Sequence, residues 1–416
     1  MNRLHEFIAE HRRAAVLFMK TAQKERLPMT VVHHNDADGI AAGAILSHAL
    51  SIAGLDFRLL PVEKVHEPII SKVHADSGSI IVYADLGGQS SGMIGRYSFD
   101  NPLVIILDHH LPGGDVPANV VHLNVERFGI SGDDDASGAS VCAIFARELL
   151  REAPLLSAHD EGLPSLLGVL GAIGDGQDQK GSLTGINLML LETALSQGEL
   201  IKSPDGFTIP RYMNRTAREV VEMLNLLGSI GFYSGSAQTG VDFLLGEDQD
   251  RAFQVCGQLE EMKTSLFTRE TQAIRTQRLT ETKHVQWVDV QDRFSPMGVK
   301  AIGLFLEHLI HEGLAAPEKY LIGFQHLPAE MPGIGTLKQS LTKISARVTA
   351  ELKKSIQLGD LPDFMTLIPR ATALVSGTAD GCHRFTAASV IQQGQEEEFI
   401  TSMETVLDQT RKNRSE

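Results

Sequence analysis

Acidic and imidazole side chains gather at four places in this chain, each where an apolar run stops. His33, His34, Asp36 and Asp38 follow "MTVV"; Asp85 follows "SIIVYA"; Asp108, His109 and His110 follow "PLVIIL"; Asp175 ends "LPSLLGVLGAIG". Carboxylates and imidazoles held close together repel, or stay protonated, unless a cation offsets them. A pair of divalent metals would do so. Mixed oxygen and nitrogen donors suit Mn2+ first, with Mg2+, zinc or iron behind it. Taken singly, each cluster has a plainer reading: a DxDG turn, a helix cap, a surface histidine pair. A calcium loop counted from His34 would need a glutamate at its twelfth position, where Ile45 stands, so that reading fails. Four clusters at apolar-run ends point together to one site.

The elements that must carry these groups are legible around them. "MTVVHH", "DFRLLPVE", "SIIVYADLGG" and "PLVIILDHH" read as short strands, and two are nearly all apolar, as parallel strands covered on both faces are. "GIAAGAILSHALSIAG" and "ASGASVCAIFARELLREA" read as helices, and "LPSLLGVLGAIGD" as a buried apolar segment. Alternating strand and helix over roughly residues 27–185 predict a doubly wound, mainly parallel α/β domain. Such sheets bind ligands outside the carboxyl ends of their strands, where residues from different strands converge. Residues 2–25 read as an amphipathic helix in front of this domain. Residues 210–283 read as mostly helical, with a long helix carrying Arg269, Arg275 and Arg278 that would link two domains. From "HVQWVDV" onward the α/β texture returns, as a second, smaller domain.

Composition sets limits. The 416 residues exceed one ordinary domain. No apolar run approaches the ~18 residues of a membrane span, and the charged N-terminus lacks a signal-peptide pattern, so a cytoplasmic protein is expected. Cys142, Cys256 and Cys382 are scattered and form no zinc spacing. The net charge of −15 argues against general polyanion binding through bulk charge. "GDGQDQKGS" has its glycines and lysine in the wrong order for a Walker A loop.

The motifs "HNDADG", "ADLGG", "LDHH" and "GAIGD", in this order, resemble the four motifs of the DHH phosphoesterase superfamily. "KISARV" and "DGCHRFTAAS" resemble the S-x-R strand and glycine-rich loop of its DHHA1 domain, and "LNLLGSIGFYSGSAQTGVDFLLGE" resembles the middle of archaeal RecJ-like proteins. The resemblance implies a catalytic DHH domain over residues 1–190, a mostly helical connector over 191–284, and a DHHA1-like substrate-binding domain over 285–416. It further implies two divalent metals, one on His34, Asp36 and Asp85, the other on Asp38, Asp85, His109 and Asp175, with Asp85 bridging. His110 would approach the scissile phosphate, and Asp108 would orient its neighbours. His33 receives no role beyond a structural one. Gly381, His383, Arg384 and Arg347 would bind substrate, with Lys338 and Lys343 steering a polyanion. Cys382 and Ser389 stand where the loop pattern has glycines.

Metal-activated water attacking phosphorus is the chemistry this set would perform. The leading expectation is a RecJ-like exonuclease on single-stranded DNA or RNA. A phosphoesterase for cyclic dinucleotides, very short oligonucleotides or 3′-phosphonucleotides is the alternative, because no basic stripe is visible and aromatics make up only 6%. A non-catalytic scaffold with a replication or repair protein as partner comes third.

Overall fold

The computed structural model describes residues 2–25, 27–76, 78–152, 161–204 and 206–415. The chain divides into two compact units, Met1–Gly257 with Pro332–Ile334, and Gln258–Met331 with Gly335–Glu416.

The first unit begins with α1 (Asn2–Glu25), then β1 (Met29–His34), α2 (Ala37–Ile52), β2 (Arg58–Val62), α3 (Glu67–Val73), β3 (Ile80–Ala84), α4 (Ser91–Tyr97), β4 (Leu103–Asp108) and β5 (Val120–Asn124). The strands form one parallel sheet in the order β2-β1-β3-β4-β5. Helices α5 (Gly138–Glu152), α6 (Gly162–Gly174) and α7 (Gly185–Ser196) follow. Ala153, last residue of the expected "ASGAS" helix, lies outside the described residues.

Alternate strand residues face opposite sides, and both sides are covered. Val31, Val82, Ile105 and Leu107 join the core built with α2, α5 and α6. Ile81, Tyr83, Val104 and Ile106 are equally buried on the other face, where Ile94 of α4 approaches. This two-sided burial is why the strands read as unbroken apolar runs. The chain leaves β1 toward β2 on one side and returns to β3 on the other. That reversal opens a crevice at the carboxyl edge between β1 and β3. Helix α2 is buried along most of its length, which its alanines and glycines allow.

Two features go beyond the sequence reading. "LPSLLGVLGAIG" is a helix, so Asp175 arrives as the cap of α6 and not at a strand end. Strand β5 has no counterpart there, because "VVHLN" mixes polar and apolar residues and is short. Beyond α7 lies a small antiparallel sheet of β6 (Ile201–Ser203), β7 (Gly206–Ile209) and β8 (Arg215–Thr216). Then come α8 (Ala217–Asn225), a π-helical turn (Leu226–Ile230), α9 (Ser236–Leu244) and α10 (Gln249–Gln277), within which the first unit ends.

The second unit holds β9 (Thr280–Glu281), β10 (Val285–Asp289), α11 (Ala301–His311), β11 (Tyr320–His326), the small pair β12 (Glu330–Met331) and β13 (Gly335–Thr336), and β14 (Leu341–Arg347). Helices α12 (Ala350–Leu358) and α13 (Phe364–Leu374), strands β15 (Thr378–Cys382) and β16 (Thr386–Gln392), and α14 (Glu396–Ser415) complete it. Its six-stranded sheet runs β15-β16-β14-β11-β10-β9, and only β10 and β11 pair in parallel. One face packs Ile322, Phe324, Ile344 and Ala346 against Leu352, Leu367, Ile368 and Met403. Helix α11 lies on the other face, with Ile302 against Gly323.

Candidate metal centre

The parallel register brings the ends of β1, β3 and β4 level, so their terminal residues share one edge. His34 closes β1, and its Nδ1 lies 2.9 Å from Asp36 Oδ2. Asp36 caps α2 by accepting from Gly39 N at 3.1 Å, so the helix start fixes its carboxylate. Asp85 follows β3 with φ of 60°, a left-handed conformation that aspartate tolerates better than most residues. Its carboxylate stands between two histidines: Oδ2 is 3.5 Å from His34 Nδ1, and Oδ1 is 3.4 Å from His109 Nε2. Asp175 Oδ2 lies 3.3 Å from His109 Nε2, and Asp38 Oδ2 lies 4.0 Å from it.

Ligand atoms of His34, Asp36 and Asp85 lie within 4.8 Å of one another, as do those of Asp38, His109 and Asp175. Each group is the right size for one cation. Asp85 Oδ1 is buried and accepts no hydrogen bond, an arrangement that costs free energy unless a cation faces it. Burial and the charge of Asp38 raise the Asp85 carboxyl well above its ordinary range. Burial pulls the His109 imidazole down, but Asp85, Asp175 and Asp38 outweigh it and raise it well above its usual value. A bound cation would offset the mutual repulsion of these carboxylates. His109 Nδ1 lies 2.7 Å from the Gly132 carbonyl, so donating there leaves Nε2 to face the carboxylates.

Asp108 and His110 form a third cluster with Asp85 and His109, their ligand atoms also within 4.8 Å of one another. Asp108 is fully buried and accepts from Gly88 N at 2.5 Å, His109 N at 2.8 Å and His110 Nδ1 at 2.7 Å. Burial alone would raise its carboxyl, but the His110 and His109 imidazoles and these hydrogen bonds hold it well below the usual range. His110 is 45% exposed, and with Nδ1 taken by Asp108 its Nε2 is left for other partners. His33 is buried under α2, where Gly43 leaves room for its ring, and its Nδ1 meets the His34 carbonyl at 2.8 Å. Burial lowers its pKa to about 4, as befits a neutral core histidine.

Several residues of the centre carry no motif signal. Asp38 is held at the start of α5 by Ser137 Oγ (2.8 Å), Ala139 N (2.9 Å) and Gly138 N (2.7 Å). A side chain at Gly138 would collide with the Asp85 carboxylate, and one at Gly171 with Asp38. Asn225 Oδ1 accepts from Ala37 N at 3.0 Å, and Asn35 Nδ2 donates to the Gly228 carbonyl at 2.9 Å. The end of α8 and the π-helical turn therefore grip the loop on both sides of Asp36. "ASGAS" announces a helix start, but nothing in its spacing ties it to Asp38.

The expected substrate residues lie in the second unit. Arg347 ends β14, packs over Gly303, and donates from Nε to Glu307 Oε1 at 2.7 Å. It pairs in register with Thr386, so the exposed His383 belongs to a turn at the same end of the sheet. Gly381 has φ of 39° and open space where a side chain would stand. Arg384 does not join Arg347: it packs on Phe385 and donates to the Ile356 carbonyl of α12 at 3.2 Å. Lys338 is exposed, but Lys343 is buried in the central strand β14, so the expected steering pair reduces to Lys338. Ser389 fits its glycine position by turning its hydroxyl inward, to Thr372 Oγ1 at 2.8 Å and the Thr378 carbonyl at 3.1 Å. Cys382 is half-buried against the Ala388 carbonyl.

The fold is similar to those of exonuclease RecJ and of a DHH domain of known structure. The structure of exonuclease RecJ bound to manganese matches with a TM-score of 0.61 at 17% identity, over 96% of this chain and 94% of that one. RecJ from Thermus thermophilus in complex with Mn2+ matches with a TM-score of 0.64 at 18% identity, over 96% of this chain and 55% of that one. A DHH domain described as belonging to a family of ribosomal proteins matches with a TM-score of 0.59 at 13% identity, over 97% and 92%. In sequence, an uncharacterized protein of Methanocaldococcus jannaschii is 29% identical over 170 residues, 39% of this chain and 36% of that protein. This chain therefore spans little more than a third of that relative's length. No family model matches. Among the described residues no helix is long and apolar enough to cross a membrane.

Proposed function

We propose that the carboxyl edge of the first sheet holds two divalent cations, Mn2+ or else Mg2+, and that the chain hydrolyses phosphodiester bonds. The observation that carries this reading is the orphaned Asp85 oxygen, set between two compact groups of carboxylate and imidazole donors. His34, Asp36 and Asp85 would hold one cation; Asp38, Asp85, His109 and Asp175 the other. Such a pair lowers the pKa of a shared water and offsets charge that builds on the phosphate. The chain's own part is orientation. Asp108 locks the half-exposed His110 ring through Nδ1, so its Nε2 is free to meet a phosphate oxygen. The buried carboxylates and the α5 N-terminus keep the ligands fixed through turnover. Arg347, Gly381 and His383 would bind the substrate.

The preferred substrate is single-stranded DNA or RNA, cut from an end as by RecJ. Similarity in fold to RecJ over nearly its whole length supports this. The net charge of −15 favours the second reading, hydrolysis of a cyclic dinucleotide, a very short oligonucleotide or a 3′-phosphonucleotide. End-labelled single-stranded DNA and RNA, a cyclic dinucleotide and a 3′-phosphonucleotide, each incubated with the chain and Mn2+, separate them. Stepwise shortening of long strands is expected. Cleavage of dinucleotide-sized substrates alone establishes the second reading, and binding without turnover points to a scaffold for a replication or repair partner.

A further inference from the structure

Behind the metal edge, buried hydrogen bonds form one connected path. Ser137 Oγ donates to Asp38 Oδ1 at 2.8 Å and accepts from Ser140 N at 3.3 Å, capping α5. Ser140 Oγ donates to Asn187 Oδ1 at 2.5 Å, and the same oxygen accepts from Ser137 N at 3.3 Å. Asn187 Nδ2 donates to Gln177 Oε1 at 2.5 Å. Gln177 Nε2 donates to the Gly132 carbonyl at 2.9 Å, and His109 Nδ1 meets that same carbonyl at 2.7 Å. The path thus begins at one expected ligand and ends at another. Gln177 also lies two residues beyond Asp175, the third member of that group.

The path has a defined polarity. The Gly132 carbonyl demands a donor, which turns Gln177 Nε2 toward it and Oε1 toward Asn187. Asn187 must then present Nδ2 to Gln177 and Oδ1 to the serines. Reversing either amide sets two oxygens or two N–H groups against each other, and Ser137, Ser140 and Asn187 are buried where water cannot compensate. The other ligand group receives none of these bonds. Its loop is tied instead to Asn225 and Gly228.

We propose that Asn187 is a positioning residue for one metal site: through Ser137, Ser140 and Gln177 it sets Asp38, His109 and Asp175, and leaves the His34–Asp36 side alone. The inference rests on the two-metal reading above. The test is a Mn2+ titration of the full chain, followed by calorimetry and by electron paramagnetic resonance, with folding checked by circular dichroism in EDTA. Wild type binds two equivalents and gives the signal of a coupled pair. Asn187→Ala and Gln177→Leu keep one equivalent near wild-type affinity, weaken the other about tenfold or more, and give the signal of an isolated ion. Asn225→Ala weakens the opposite equivalent. Should Asn187→Ala fail to fold, Ser137→Ala decides by the same readouts, since it removes a single hydroxyl. Two unweakened equivalents in the folded variants, or equal weakening of both, overturn the proposal. A wild-type chain that binds no Mn2+ overturns the metal reading itself, and is told apart because it precedes any substitution.

Discussion

The carboxyl edge of the first sheet and the charged end of the second hold their polar side chains in opposite ways. At the first edge Asp38, Asp85, Asp108 and His109 are buried, and backbone groups or neighbouring ligands fix most of their atoms. At the second, His383 is exposed and the arginines are engaged by the protein, Arg347 by Glu307 and Arg384 by a helix carbonyl. Buried groups with several partners cannot adjust without losing hydrogen bonds, so the first edge is built for fixed chemistry. A half-buried arginine in an ion pair with an exposed carboxylate, as Arg347 is with Glu307, can be drawn to an incoming anion at smaller cost. On the proposed reading, substrate choice would rest with the second unit and reaction type with the first.

The strongest way to break this comparison is to remove a ligand. Asp85→Ala and Asp38→Ala should each lower Mn2+-dependent phosphodiester hydrolysis by roughly a thousandfold or more in a chain that still folds. The two should differ in stability. Asp38→Ala orphans Ser137, Gly138 and Ala139 donors, at about 1–3 kcal/mol for a buried donor left unsatisfied. Asp85→Ala removes a buried carboxylate that Asp38 repels, so in EDTA it should melt no lower than wild type. Full activity in either variant would sink the assignment of the edge.

A milder test adds only one methyl. Gly171→Ala presses on Asp38 and Gly138→Ala on Asp85. If close packing fixes the ligands, Mn2+ affinity should fall on the order of 10–100-fold in each, measured by calorimetry. Wild-type affinity would mean that the edge adjusts as readily as the second sheet does. On that second sheet the effects should be smaller and of another kind. Arg347→Ala should raise KM about tenfold with kcat nearly unchanged, since a charged hydrogen bond to phosphate contributes roughly 1.5–3 kcal/mol. Arg384→Ala, whose guanidinium already serves the Ile356 carbonyl, should move KM less. Steady-state kinetics on an oligonucleotide ladder measure both.

The same contrast governs what the sequence revealed. His34, Asp85 and His109 were legible because a ligand-type residue directly follows an apolar strand, and strand order then brings them together. The doubly wound sheet was legible because strands buried on both faces are apolar throughout. Asp175 was visible as a candidate ligand, but its element was not, because a short apolar run fits a buried helix as well as a strand. Asn187, Gln177 and Asn225 gave no sign. An amide has no chemistry of its own to betray it, and its role exists only once tertiary packing sets its oxygen and nitrogen against particular partners. In the second unit, Arg384 lies within the resembling loop yet points to a helix end, since spacing along a turn does not determine which side a long side chain takes.

The finest test asks whether opposing charge, and not burial alone, sets the metal edge apart. His11 on α1 is as buried as His109, with Nδ1 2.9 Å from the Phe7 carbonyl, but the neighbouring Glu10 carboxylate acts on it only weakly against its burial. Burial lowers its pKa from 6.5 to about 4, whereas His109 is raised. The signs follow. A depressed histidine contributes stability in full above its unfolded pKa, and that stability is lost as pH falls from about 6.5 through about 4. A raised one contributes below its unfolded pKa and loses that contribution as pH climbs through its folded value. Thermal melts in EDTA between pH 4 and pH 7.5 should therefore show wild type falling toward acid more steeply than His11→Leu, by on the order of 2–3 kcal/mol across the window. The subtraction removes the carboxylates that titrate in both chains. Parallel curves would mean that His11 titrates as an ordinary histidine despite its burial, and the claim that three carboxylates distinguish His109 would lose its reference point.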